Sequence, residues 1–316
     1  MTGPDLPVPQ DPLPGEAVPR KYHAGYVALV GEPNVGKSTL MNAFVGTKIS
    51  IVSDKPQTTR HRIVGIVSRE DCQIVCLDTP GIITPKYLLH EVMMGAVRSA
   101  MEDADVICCM IDAAHPKTGP RYAHDLAHDL LRSVAKPLYI IINKIDLVPR
   151  DALLPVIGFY SETYAPKEIF PISARHGTGT GDLLDALARE MPAHPAYYST
   201  DVLSEHPERF FVAELIREAI FRKFRKELPY STTVDILEFR EAEARKDLIR
   251  AEIYVERDTQ RAIIIGRKGL ALKTVGADAR SEIEAFLGRP VFLELYVKVR
   301  KQWREDDAWL KRLGYH

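Results

Sequence analysis

"GEPNVGKS", Gly31–Ser38, decides the fold of this 316-residue chain. It matches G-x-x-x-x-G-K-[ST] and sits between a short apolar run, "YVALV" (Tyr26–Val30), and a helix-like "KSTLMNAFVG". In a strand–loop–helix setting that pattern is a phosphate-binding loop. Gly31 and Gly36 let the backbone wrap phosphates with its N–H groups, and Asn34, Val35 and Thr39 belong to the same wrap. Lys37 brings charge to the β- and γ-phosphates, and Ser38 offers a hydroxyl to Mg²⁺.

Strand-like and helix-like runs alternate on either side. "RIVGIVS", "QIVCLD", "DVICCMIDA", "PLYIIINKID" and "EIFPISA" read as strands. "YLLHEVMMGAVRSAM", "RYAHDLAHDLLRSV" and "GTGDLLDALAREM" read as helices, the first with Leu88, Leu89, Val92, Met93, Ala96, Val97 and Ala100 on one stripe. This alternation predicts an α/β domain, a mostly parallel sheet with helices on both faces, which binds ligands at the carboxyl ends of its strands.

The remaining motifs fall at those ends. Asp78, closing "QIVCL", is placed to reach Mg²⁺ directly or through water, and Gly81 to donate its N–H to the γ-phosphate. Ile82 and Ile83 stand where a water-orienting Gln is common in GTP-hydrolysing proteins; Ile82 reads as a wall of the site. In "NKID", the Asp146 carboxylate can accept from guanine N1–H and N2–H₂, donors that adenine lacks. Asn143 can bridge base and loop, and the Lys144 stem can cover the ring. "ISA" brings Ser173 and the Ala174 N–H, which could reach guanine O6. GTP or GDP with Mg²⁺ is the ligand set these motifs imply.

Bulk properties exclude several classes. With 42 Lys+Arg against 43 Asp+Glu the net charge is −1, so no global field attracts nucleic acid or membrane. Cys72, Cys76, Cys108 and Cys109 read as buried thiols of a reducing cytosol, because adjacent strand residues face opposite ways. His124 and His128 are four apart, near His115, without a carboxylate pattern, so a solvated helix face is expected rather than a metal site. The proline-rich residues 1–22 read as a disordered tail and not a signal peptide, and no run reaches membrane-spanning length. The chain reads as a cytoplasmic monomer. Basic pieces such as "FRKFRKEL" permit peripheral contact with the inner face of a cell membrane, although they read more simply as solvated helix faces.

Residues 23–192 form the nucleotide-binding unit, 193–207 a Pro-, Tyr- and Ser-rich linker, and 208–316 a second domain. The latter reads as helix, two strands, an apolar run into a turn ("RAIIIGRKG"), helix, strand ("VFLELYVKVR") and a charged C-terminal helix. That order with a G-x-x-G turn resembles the type II K-homology arrangement, an α+β RNA-binding fold. Gly266 and Gly269 would allow close approach of a backbone, with Arg267, Lys268 and Lys273 meeting phosphates. The domain carries 23 Lys+Arg against 21 Asp+Glu from residue 201 onward, so binding would depend on this loop and not on a broad basic face.

Together "GEPNVGKSTL", "PQTTRHRIVGI", "DTPGI", "NKID" and "ELPYS" resemble the TrmE–Era–EngA-like GTPases, within the translation-factor-related class, over roughly residues 22–302. The resemblance implies that Thr59 ligates Mg²⁺ from the first switch, "PQTTRHR" (Pro56–Arg62). It also implies that Asn34 helps hold a potassium ion which compensates for the missing Gln; from residues alone Asn34 is equally a loop residue tolerating an unusual backbone angle. Slow hydrolysis stimulated by potassium and RNA would follow. The two-domain layout implies binding near the 3′ end of small-subunit (16S) ribosomal RNA and a role in maturing the small ribosomal subunit. The alternatives are a tRNA-modification-type GTPase and a GTP-binding adaptor without significant hydrolysis.

Overall fold

The computed structural model describes residues 22–53, 55–118, 125–242 and 246–315. The expectation of a disordered N-terminal tail concerns residues 1–22, all but the last of which lie outside that set, as does His124.

The first unit is a six-stranded sheet in the order β2-β3-β1-β4-β5-β6: β1 His23–Gly31, β2 Ile63–Ser68, β3 Cys72–Asp78, β4 Val106–Asp112, β5 Leu138–Asn143 and β6 Glu168–Pro171. All pairings are parallel except β2 with β3. The chain winds to one side of β1 for β3 and to the other for β4, so the loop after β1 lies where the strand order reverses, the usual ligand position in such sheets.

Strand alternation divides the core between two faces. Val27, Leu29, Cys76, Cys108 and Met110 pack beneath α1 (Lys37–Val45) and α5 (Thr180–Glu190). Ala28, Val30, Val75, Leu77 and Cys109 pack beneath α2 (Leu88–Asp103), α3 (Leu126–Arg132) and α4 (Leu153–Tyr164). The four cysteines are free and buried, and burial pushes the Cys76 and Cys109 thiols up to about 12. The α2 stripe is rotated from the sequence expectation: His90 and Met94 are buried beside Leu89, Met93, Val97 and Ala100. His128 also departs from expectation: it is 3% exposed, on the buried side of α3 with Ala127 and Leu131, and hydrogen-bonded to Tyr164.

The second unit has a three-stranded sheet, β7 (Thr233–Arg240), β8 (Asp247–Val255) and β9 (Val291–Val299), antiparallel then parallel. Helices α6 (Glu208–Lys223), α7 (Asp258–Ile265) and α8 (Leu270–Leu287) cover one face. The run "RAIII", read as leading straight into a turn, belongs to α7. Consecutive isoleucines hide helical periodicity: Ile264 is fully buried while Ile263 is 55% exposed. Helix α9 (Asp307–Arg312) is capped by Asp306, which accepts from the Trp309 N–H at 3.0 Å.

The stretch between the units is tied to the first. Gln73 binds the backbone of Tyr197 and Tyr198, the Ile66 N–H donates to Leu203 O at 2.9 Å, and the Ser204 hydroxyl donates to Val64 O. Buried side-chain amides bonded to a loop's backbone make it a strap along β2 and β3 instead of a free tether.

Candidate functional site

The sharp turn after β1 runs from Gly31 to Lys37, where α1 begins. Gly36 has φ 105°, and a Cβ there would meet Asn143 Nδ2 at 2.2 Å, so only glycine fits. Gly81 lies against the loop from the other side: its Cβ would be 2.6 Å from Pro33 N. Packing, more than conformation, therefore requires the glycine of Asp-x-x-Gly. The cavity around this loop measures about 660 Å³ and is lined by Asn34, Gly36, Lys37, Ser38, Thr39, Gln57, Thr59, Gly81, Asn143, Lys144, Asp146 and Ser173, among others. That volume is within the range of pockets for small-molecule ligands and cofactors, ~300–1,000 Å³. Val35 instead points into the core, 5% exposed, leaving only its backbone to the loop.

At the phosphate end three oxygens converge. The Ser38 hydroxyl is 2.7 Å from Asp78 Oδ2 and 2.8 Å from the Thr59 hydroxyl. Asp78 is fully buried, and its Oδ1 has no hydrogen-bond partner among the described residues. Burial pushes its carboxyl pKa upward, opposed by the Ser38 donor and the Lys37 charge. A buried carboxylate oxygen without a donor, beside two hydroxyls, suits a hard divalent cation with oxygen ligands. Lys37 is 5% exposed and donates to Gly31 O at 3.0 Å and Glu32 O at 2.8 Å; burial lowers its pKa to about 8, with Asp78 opposing. Asn34 is exposed at φ 65°, a left-handed angle that asparagine tolerates.

At the other end Asn143 Nδ2 donates to Val35 O at 2.7 Å, while its Oδ1 accepts from the Ala174 N–H at 2.9 Å. The N–H engaged in this bridge is the one expected to meet guanine O6; Ala174 is 4% exposed, and Ser173 and Arg175 line the cavity at that turn. Ser173 holds Asp146 by a 2.5 Å bond to Oδ1, which lowers that carboxyl's pKa below the usual range and leaves its Oδ2 toward His176 at 3.7 Å. Lys144, at φ 65°, is anchored to Asp112 at 2.7 Å, which lays its stem along the cavity. Ile82 is no wall: its N–H donates to Gly31 O and its side chain joins the core under α2.

The largest feature missed in the sequence is where the first switch goes. Arg60, adjacent to Thr59, is 1% exposed and enters the second unit. Its guanidinium donates to Thr232 O, Tyr230 O and Pro229 O at 2.8, 2.9 and 3.1 Å and lies 5.9 Å from the ring centroids of Phe221 and Trp303. Arg217, on α6, returns the contact by donating to Thr58 O while paired with Glu214. Lys48 bridges to Glu218 and Glu282 at 2.7 and 2.8 Å. A lone arginine gives no sequence signal for such a role, because its acceptors are backbone carbonyls 169 to 172 positions away.

Gly266, Arg267, Lys268 and Gly269 form the turn between α7 and α8, and Lys273 follows one helical turn later; Arg267, Lys268 and Lys273 are exposed. Exposed Ile263 and Leu270 flank the turn, adding apolar surface that motif reading overlooked.

Comparison with known proteins agrees with both halves. Residues 26–144 match the model described as "50S ribosome-binding GTPase", and residues 227–304 match the K-homology domain model. The chain is 47% identical to GTPase Era of Lacticaseibacillus paracasei over 296 residues, 94% of this chain and 98% of that one. It is 44% identical to a chloroplastic GTPase ERA-like protein of Arabidopsis thaliana, covering 94% of this chain and 70% of the relative. A structure of Era from Aquifex aeolicus bound to GDP and AlF₄⁻ superposes with TM-score 0.86 at 39% identity, covering 93% of this chain and 99% of that one. Another, Era with MgGDPNP and nucleotides 1506–1542 of 16S ribosomal RNA, gives 0.87 at 38%, with the same coverage. With 47% identity to an Era GTPase over nearly the full length of both chains, and both domain models matched in order, the chain belongs to the Era family of GTPases.

Proposed function

We propose that this chain is a GTP-hydrolysing, RNA-binding switch that binds small-subunit (16S) ribosomal RNA near its 3′ end and assists maturation of the small ribosomal subunit. The observation that carries the nucleotide half is the convergence of Ser38, Thr59 and Asp78 on one point beside Lys37. Thr59 belongs to the first switch, so its presence there makes the switch position depend on what the site holds. The Era relative bound to 16S RNA supports the RNA half.

In this reading Ser38, Thr59 and Asp78, the last directly or through water, would hold Mg²⁺, which supplies charge to the β- and γ-phosphates. Residues 31 and 34–39 wrap the phosphates, Lys37 neutralises charge as the γ-phosphoryl departs, and Gly81 reports its presence through its backbone N–H. Asn34, on the open side of the loop, would help hold potassium. Asp146 recognises guanine, oriented by Ser173 and flanked by Lys144. The exposed Gly266–Gly269 turn and Lys273 clamp RNA. The buried, reduced cysteines support a cytoplasmic setting; among the described residues no helix is long and apolar enough to cross a membrane.

Asp146→Asn tests the base site. The amide presents a donor where guanine also presents one, so GTP affinity should fall about 100-fold or more while a xanthine nucleotide binds well. Unchanged GTP preference would refute the assignment.

A further inference from the structure

After α9 the backbone turns back on itself. Gly314 has φ 81°, a left-handed angle that glycine takes readily. Its N–H donates to Lys311 O at 3.0 Å, and the next N–H, of Tyr315, donates to Leu310 O at 3.0 Å. These two bonds make a Schellman ending, which folds the residue after the glycine back toward the last helical turn. Tyr315 is thereby fixed with its side chain inward, 3% exposed. Helix α9 is a firm mount for it. Trp309 meets Tyr254 of β8 edge-on at 5.1 Å, and the Arg300 and Arg312 guanidinium groups pack on the indole at 4.0 and 4.5 Å from its centroid.

Tyr315 does not join the core of the second unit. It belongs to a separate buried cluster with Trp303, Trp309 and Leu310 and with Leu89 and Met93 of α2. Ile83, two residues past Gly81, packs against the same cluster. The Tyr315 ring also stacks on His61, with centroids 4.1 Å apart and planes 15° apart, while Phe210 of α6 meets His61 edge-on at 5.3 Å. A residue that served only to fill the second unit would lie under its helices; this ring lies on the first unit instead. His61 is two positions from Thr59, whose hydroxyl reaches Ser38, and α2 follows the Gly81 turn. One buried ring therefore joins both segments that border the phosphate end of the nucleotide cavity.

We infer that Tyr315 is a positioning residue for GTP hydrolysis: its ring seats His61 and the start of α2 together, so that Thr59 and the Gly81 turn are set as one unit by the second domain. The inference rests on the GTP-hydrolysing reading above. The ring acts through the first switch and α2 and touches neither nucleotide nor metal. A small displacement of Thr59 suffices to slow the reaction, because rate depends steeply on the placement of groups around the reacting atoms.

The test compares Tyr315→Ala and Tyr315→Phe with the full natural chain. NMR of the His61 ring, assigned with His61→Gln, reads the stack directly: its carbon-bound protons should move downfield in Tyr315→Ala and stay near their natural positions in Tyr315→Phe. With GTP saturating and a 16S 3′ fragment present, Tyr315→Ala should lower kcat at least about tenfold, whereas Tyr315→Phe should keep it within about threefold. GDP affinity, which needs no first switch, should stay within about threefold in both variants, showing that the nucleotide domain is folded. Unmoved His61 signals in Tyr315→Ala, natural kcat in that variant, or an equal loss in Tyr315→Phe would each overturn the inference. Absence of turnover in the natural chain would contradict the GTP-hydrolysing reading itself, and this inference with it.

Discussion

Lys37 shows how a single position couples folding to ligand chemistry. Burial lowers its ammonium pKa to about 8, and a bound triphosphate must favour the charged form. Below pH 8 the lysine is already charged, so GTP affinity should be level there. Above it, binding takes up a proton and affinity falls by up to about tenfold per pH unit, ~1.4 kcal/mol. Calorimetry at pH 8.5 in buffers of different ionisation enthalpy should show net proton uptake, and zero uptake would contradict the assigned environment. Asn34 has a separate test: hydrolysis should be faster in KCl than in NaCl, and Asn34→Ala should remove the difference. Equal rates in the two salts would remove potassium from the account. At this scale the sequence was informative wherever chemistry is local. Lys37, Asp78 and Asp146 could be named from motif and spacing; the engagement of the Ala174 N–H could not, because Asn143 reaches it from 31 residues away.

The element that carries the most consequence is the first switch. Thr59 faces the phosphate end of the cavity and Arg60 the second unit, so one peptide separates the two sites. Arg60→Lys keeps the charge but cannot span three carbonyls with a forked donor. We expect GTP affinity to stay within about threefold, loss of most RNA stimulation of hydrolysis, and destabilisation by about 2–3 kcal/mol from carbonyls left unpaired in the interface. Full RNA stimulation in a folded Arg60→Lys protein would show that the Arg60 contacts do not transmit the signal. Strands and long amphipathic helices were readable from periodicity. Helix α7 was not, since an isoleucine run satisfies strand and helix patterns alike, and the strap between the units was not, since its order comes from the Gln73 side chain reaching about 125 residues along the chain.

For the whole molecule, a near-zero net charge leaves specificity to two localised sites joined by a polar interface. Fold class followed from the order of strands and helices, but the relation between the units depends on pairs such as Lys48 with Glu218 and Glu282, which no local pattern announces. If the nucleotide sets the position of Thr59, and Arg60 carries that position across, RNA affinity must depend on the nucleotide bound. The direct measurement is the dissociation constant for a 16S 3′ fragment, at one fixed salt concentration, with Mg²⁺ and either a non-hydrolysable GTP analogue or GDP. The account predicts at least about tenfold tighter binding in the GTP-analogue state, within the usual 1–3 kcal/mol of allosteric coupling; equal affinities in the two states would contradict it.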